Sequence, residues 1–229
     1  MDLIFVHGAL VRDGAWWWQR TAELLEMRSH SVVLPSCEGE GGLVEDAAAL
    51  REALDGVESA IVVGHSYGGT VIAEAGQHPA ISRLVYVSSY LPEVGQAQAA
   101  IMSGEAYPVS IAMNGDRLQL DGYDASSFGA RFLQDAPDLW DDALARTVPQ
   151  SAAAFITPTT QAGWQGVDST YLVCTSDRST SVELQRSHAA KATRSIDLPT
   201  GHHPFISRPD LVASAVSRIA RLSPGEALD

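Results

Sequence analysis

The sequence predicts an α/β protein with one mostly parallel sheet of about six strands, flanked by helices and carrying a small insertion. Three observations point there. Short aliphatic runs alternate along the chain with helix-periodic stretches, as in strands joined by crossover helices. Most of those runs are continuous Val, Ile and Leu rather than apolar alternating with polar, so the strands are covered on both faces and parallel. One run leads straight into a glycine-flanked serine and then a helix, in "IVVGHSYGGTVIAEA" from Ile61 to Ala75.

In chain order the first strand is "LIFV" (3–6), followed by a helix over "WWWQRTAELLEMRS" (16–29) and a strand at "SVVL" (31–34). Trp16, Trp17 and Trp18 are consecutive and cannot share one helix face, so at least one packs inward while another is free to edge a pocket. Next come a helix at 45–56, the strand "AIVVG" (60–64), a helix at 67–77 and the strand "RLVYVSS" (83–89). From Leu91 to about Thr160 the alternation breaks: "NGD" between "SIAM" and "RLQL" reads as a hairpin turn, and helices follow around "SSFGARFLQDA" and "PDLWDDALART". Residues 91–160 are therefore expected as a cap on a core made of 1–90 and 161–229. The core resumes with "STYLVCT" (169–175), a helix at 182–192 and "RSIDL" (194–198). It closes with a helix at 208–222, where Leu211, Val212, Ala215, Val216, Ile219 and Ala220 recur at helical spacing and Pro209 suits the first turn.

A chain of 229 residues suits one domain with an inserted lobe. Its hydrophobic fraction of 45% and charged fraction of 19% are those of a globular protein, and no window approaches the roughly 18 uninterrupted apolar residues of a membrane span. Fifteen basic against 28 acidic side chains give a formal charge of -13, with no basic patch to hold nucleic acid or an anionic membrane. Met1 runs directly into a strand with no signal-peptide pattern, so a cytoplasmic location is the expectation. Cys37 and Cys174 stand alone, without disulfide or metal-ligand spacing; Cys174 reads as a buried strand residue and Cys37 is left open.

Gly64-His65-Ser66-Tyr67-Gly68 has the G-x-S-x-G pattern of a nucleophile elbow, a sharp strand-to-helix turn that exposes a serine hydroxyl. Bulky residues two positions either side of that serine would strike the neighbouring strand and helix, and glycines remove the collision. The N–H of Tyr67, at the start of the following helix, becomes an oxyanion donor. The alternative is a tight turn without chemistry. A serine needs a base, and the base needs a carboxylate to fix its tautomer. His202 and His203 lie in "TGHHPF" just after the last strand, whereas His188 sits in a helix. Asp177 follows a strand at the end where catalytic groups gather, ahead of Asp168, Asp197 and Asp210. The second oxyanion donor is expected from "FVHGAL", at Ala9 or Leu10, with Gly8 leaving the approach clear. His7 is expected to brace this loop and His65 to pack beside the elbow.

Taken in order, "FVHGAL...GAWWW", "VVGHSYGG", "LVYVSSYLP", "TYLVCTSDRS" and "GHHPFISRPDLVA" resemble the α/β-hydrolase small esterases that include plant methylesterases, hydroxynitrile lyases and bacterial relatives. The resemblance covers nearly the whole chain apart from the cap. It implies the α/β-hydrolase fold, Ser66 as nucleophile, Asp177 as acid, His202 as base, and oxyanion N–H groups from Tyr67 and from Ala9 or Leu10. His203 falls where the lyases carry a lysine and the plant esterases an apolar residue, and Gly8 falls where the lyases carry a threonine. The segment "LVRD" makes the loop after "HGA" longer than in the relatives, and "TSDRST" departs from them around the acid.

The expected reaction is hydrolysis of a small carboxylic ester or lactone through an acyl-enzyme, needing no metal or organic cofactor. A lyase using His203 as a further acid or base, and a small-molecule-binding or signalling protein with weak hydrolysis, are the alternatives. Substrate selection falls to cap residues, with Gly8, His203, Tyr90, Phe128 and Trp140 as candidate pocket residues beside Met102, Tyr107, Phe132 and Phe155. The same side chains would equally serve to fasten the cap to the sheet.

Overall fold

The computed structural model describes residues 1–105 and 107–222. The first four strands are β1 (Asp2–Val6), β2 (Ser29–Ser31), β3 (Ala60–His65) and β4 (Ile81–Val87). A hairpin of β5 (Ile111–Asn114) and β6 (Arg117–Leu120) turns at Gly115, φ 64°, and β7 (Gln150–Ser151) adds to β6. The last two strands are β8 (Ser169–Cys174) and β9 (Arg194–Leu198). Six of these strands form a wholly parallel sheet in the order β2-β1-β3-β4-β8-β9, and β5-β6-β7 form a separate antiparallel one.

The helices are α1 (Gly14–Ala22), α2 (Pro35–Glu38), α3 (Leu43–Asp55), α4 (Gly68–Ala75), α5 (Gln98–Met102) and α6 (Ala125–Phe132), then α7 (Trp140–Leu144), α8 (Ala153–Ile156), α9 (Val182–Ala189), α10 (Pro204–Ser207) and α11 (Pro209–Arg221). Alternate strand residues feed two cores. Ile4, Val6, Val62 and Tyr86 pack with Leu50 of α3 and Val71 of α4, while Leu3, Phe5, Val63 and Val85 pack with Trp18 of α1 and Val216 of α11. Trp18 is sandwiched between Phe5, at 4.5 Å between ring centroids, and Phe205 at 4.0 Å. Truncating a ring so enclosed costs about 3–5 kcal/mol. Of its neighbours, Trp17 is also buried, and half-buried Trp16 carries the Arg146 guanidinium on its face.

Two expectations need correction. The second strand is Ser29–Ser31 rather than 31–34, because the chain turns at Leu34 to begin α2 at Pro35, and Val33 is left exposed on the edge. The helix expected over 16–29 occupies Gly14–Ala22. Continuing it would carry the chain past the point where Ser29 must pair with Leu3.

The segment between β4 and β8 holds α5 to α8 and the small sheet. It is stitched to the loop after β1: Val148 donates its N–H to the Leu10 carbonyl (2.9 Å), and Arg12 donates to the Arg146 carbonyl (3.0 Å). The "LVRD" residues thus form an antiparallel bridge, Val11 with Thr147.

Candidate active site

Ser66 stands at the β3–α4 turn in the left-handed region, φ 50°, conformational strain that the surrounding packing must hold in place. The glycines around it make room in the way the sequence suggests. A Cβ on Gly64 would lie 2.5 Å from Ile72 Cδ1 of α4, and one on Gly68 would run into the Val6 carbonyl of β1.

Asp177 follows β8 and His202 follows β9, so neighbouring strands deliver both side chains to the same edge. His202 Nδ1 lies 2.8 Å from Asp177 Oδ2, which assigns the ring proton to Nδ1 and leaves Nε2 with a lone pair. Ser66 and His202 line one pocket. Among the described residues no hydrogen bond joins Ser66 Oγ to the ring; such contacts commonly tighten only around substrate.

The Asp177 carboxylate is buried and heavily solvated by protein. Ser179 and Thr180 donate backbone N–H groups to Oδ1 at 2.7 and 3.1 Å, and Gln185 Nε2 and Ser88 Oγ donate to Oδ2 at 3.1 and 2.5 Å. Burial alone pushes this carboxyl up, but the His202 ring and the hydrogen bonds from His202, Ser88 and Ser179 outweigh it, holding it below the ordinary carboxylate range. The "TSDRST" departure therefore still supplies the N–H groups an anion needs.

Tyr67 and Ala9 have no backbone N–H acceptor among the described residues, and both line the pocket beside Ser66. Leu10 is different. It adopts φ 61° and spends its N–H on Gln150 Oε1 at 2.8 Å, so Ala9 is the donor this loop offers. Gly8 lies where a Cβ would be 2.9 Å from His65 Nδ1.

His65 bonds the His202 carbonyl through Nε2 (2.9 Å); burial, then the neighbouring His202 and His203, keep it neutral well below its usual range. His203 stacks on Trp17 at 4.9 Å and donates from Nδ1 to the Phe132 carbonyl (2.9 Å). Burial, then the neighbouring His202, push it down to about 3. His203 is thus a neutral ring whose Nε2 accepts rather than donates. His7 Nδ1 holds the Gly8 carbonyl at 2.8 Å, bracing the loop. Cys37 is buried, its thiol pushed up to about 12 by burial and by Asp46, so it is no nucleophile.

The pocket wall includes Gly8, His203, Tyr90 and Phe128, as well as Met102, Phe132 and Phe155. Trp140 is a correction: it does not line this pocket. Its ring closes over Gly129 of α6 and its Nε1 donates to the Leu133 carbonyl (2.8 Å), so it fastens α7 to α6. Tyr107 is likewise outside the pocket and 80% exposed. Ser88, Ser36, Asp46, Gln150, Gln185 and Glu105 are polar residues that sequence reasoning missed. For Ser88 the signal was its place at the end of the strand beside the elbow; for the others there was none at local range.

The alpha/beta hydrolase family matches residues 3–215. Probable hydrolase R7 of Phoma sp. is 26% identical over 196 residues, 78% of either chain. Methylesterase 2 of Arabidopsis thaliana is 25% identical over 256 aligned residues, 95% of either chain. The crystal structure of a pyrethroid hydrolase superposes with a TM-score of 0.85 at 24% identity, covering 99% of both chains. With the match running from the first strand into the last helix, the chain belongs to the alpha/beta hydrolase family of enzymes.

Proposed function

We propose that the protein is a serine esterase that hydrolyses small, apolar carboxylic esters or lactones. The carrying observation is that His202, with Nδ1 held on Asp177, shares a pocket with a strained Ser66. Nε2 of His202 takes the Ser66 proton as Oγ attacks the carbonyl carbon. The oxyanion settles on the N–H groups of Tyr67 and Ala9, and His202 returns the proton to the leaving alcohol. Water then repeats the sequence on the acyl-enzyme and frees the acid. The methylesterase and esterase names among the relatives agree with this class of reaction.

The lining supports an uncharged substrate. It is largely apolar, with Gln98 and Ser179 as polar exceptions beside the serine and histidines, and among the described residues Glu105 is its one acidic or basic side chain, held by a hydrogen bond from Ser181 N to Oε1 (2.9 Å). A carboxylate at the pocket wall repels anionic esters and favours release of the acid product. Glu105→Gln is expected to raise kcat/KM for a half-ester of a dicarboxylic acid several-fold relative to a neutral ester of the same length. An unchanged ratio removes Glu105 from substrate selection.

Turnover of a short-chain p-nitrophenyl ester, with labelling by an organophosphonate, tests the main reading. Ser66→Ala should abolish labelling and lower turnover by about two to four powers of ten. Labelling that survives in Ser66→Ala, or saturable binding with no turnover in the wild type, overturns it. With its Nδ1 hydrogen on the Phe132 carbonyl, a neutral His203 offers a lyase a base at Nε2 but no acid there.

A further inference from the structure

We infer that Gln150, Ser36 and Asp46 are positioning residues that hold both arms of the oxyanion hole from behind, so that the inserted segment completes the site as well as covering it. The inference rests on the serine-esterase reading above.

One arm is the loop carrying Ala9. Its left-handed residue, Leu10, gives its N–H to Gln150 Oε1 (2.8 Å) and its carbonyl to Val148 N (2.9 Å). Both backbone polar groups of that residue are thus committed to residues 148–150. An uncommitted Leu10 N–H would compete with Ala9 for the oxyanion or let the loop relax from φ 61°.

Behind Gln150 the hydrogen bonds run one way only. The Leu10 N–H can only donate, which fixes the Gln150 amide with Oε1 towards Leu10 and Nε2 towards Ser36 Oγ (2.8 Å). Ser36 Oγ, accepting there, must give its own hydrogen to Asp46 Oδ2 (2.6 Å), and Ser36 N donates to Asp46 Oδ1 (2.9 Å).

The second arm ends on the same carboxylate. Tyr67, whose backbone N–H is the other oxyanion donor, gives its phenol hydrogen to Asp46 Oδ2 (2.8 Å) and stacks on Phe155 at 5.8 Å. Asp46, Ser36 and Gln150 are each 0% exposed. Burying a carboxylate is costly unless its partners are complete. Asp46 takes three donors here, Ser36 N, Ser36 Oγ and the Tyr67 phenol, and each leads to one of the two arms. The 10–12 loop is what reaches residues 146–150.

Gln150→Met keeps volume but cannot accept an N–H. With a p-nitrophenyl ester, kcat should fall about 10- to 100-fold with KM within about twofold, because the loss falls on the transition state. Affinity for a trifluoromethyl ketone, whose hemiketal oxyanion occupies the same donors, should fall by the same factor. Ser36→Ala cuts the relay with minimal steric change and should show the same split with a smaller loss. If Gln150→Met does not fold, Ser36→Ala alone decides. The inference is overturned if the folded variants keep wild-type kcat and ketone affinity, or if KM rises in step with the loss. Persistence of activity in Ser66→Ala would instead strike the esterase reading, leaving the two failures distinguishable.

Discussion

Ser88 adopts φ 41° at the end of β4 and donates to Asp177 Oδ2 at 2.5 Å, with its Oγ 3.2 Å from His202 Nδ1. It joins Leu10 and Ser66, so three of the four non-glycine residues with positive φ among the described residues (the fourth being Asp13) cluster at the site. Such strain is tolerated where surrounding contacts over-determine a conformation, and here it aims a hydroxyl at a buried anion. A hydrogen bond to a charged group contributes about 1.5–3 kcal/mol. Ser88→Ala should therefore lower stability at neutral pH by an amount of that order. Asp177 has a depressed folded value, so its contribution is present above the unfolded carboxylate value and lost as pH falls through the folded one. Loss of the Ser88 bond makes the depression smaller, and the gap between variant and wild type should close in acid. Urea denaturation of both proteins at pH 7 and in steps below the ordinary carboxylate value reads this directly. A gap independent of pH would mean that Ser88 acts by packing alone.

At the scale of elements, the sequence discloses what is local. The elbow at Ser66, the hairpin at Gly115 and the amphipathic face of α11 are each written in a few adjacent residues, and each stands where it was expected. The strand at Ser29–Ser31 and the end of α1 were misplaced because an edge strand is set by pairing, here with Leu3 to Phe5, rather than by its own β-branched run. Pairing of residues 10–12 with 146–148 spans more than half the chain, and no periodicity within either piece encodes it. Trp140 shows the same limit from the other side, since an aromatic in a cap can face either the ligand or the next helix. Closed over Gly129, it faces the helix. Trp140→Ala should destabilise the protein by about 3 kcal/mol, as ring truncations do, while leaving KM for short esters unchanged. A KM that rises with stability intact would return Trp140 to the pocket.

For the molecule as a whole, four histidines are kept neutral inside the fold. His7, His65, His188 and His203 are all buried and all lowered, with burial the first cause for each. His188 is pushed down to about 4, the Lys191 charge adding to burial, and His203 to about 3. The unfolded chain protonates these rings as pH drops past about 6.5, while the native state does not. Below that point the unfolded state binds more protons, so stability falls with falling pH, each ring contributing up to about 1.4 kcal/mol per pH unit until its own folded value is reached. Asp46 works in the opposite direction. Burial raises its carboxyl, so its destabilising ionisation in the fold is relieved in acid, but only over the interval above the ordinary carboxylate value. Acid unfolding should therefore begin between pH 6.5 and 5, ahead of the window in which Asp177 loses its charge. Denaturant titrations at pH 7.5, 6 and 5 should show the midpoint dropping little over the first step and steeply over the second. His203→Phe, which keeps an aromatic ring against Trp17, should make the slope shallower by about one proton. A flat profile in the wild type, or a variant with the same proton count, would show that these rings titrate in the native state as freely as they do in water.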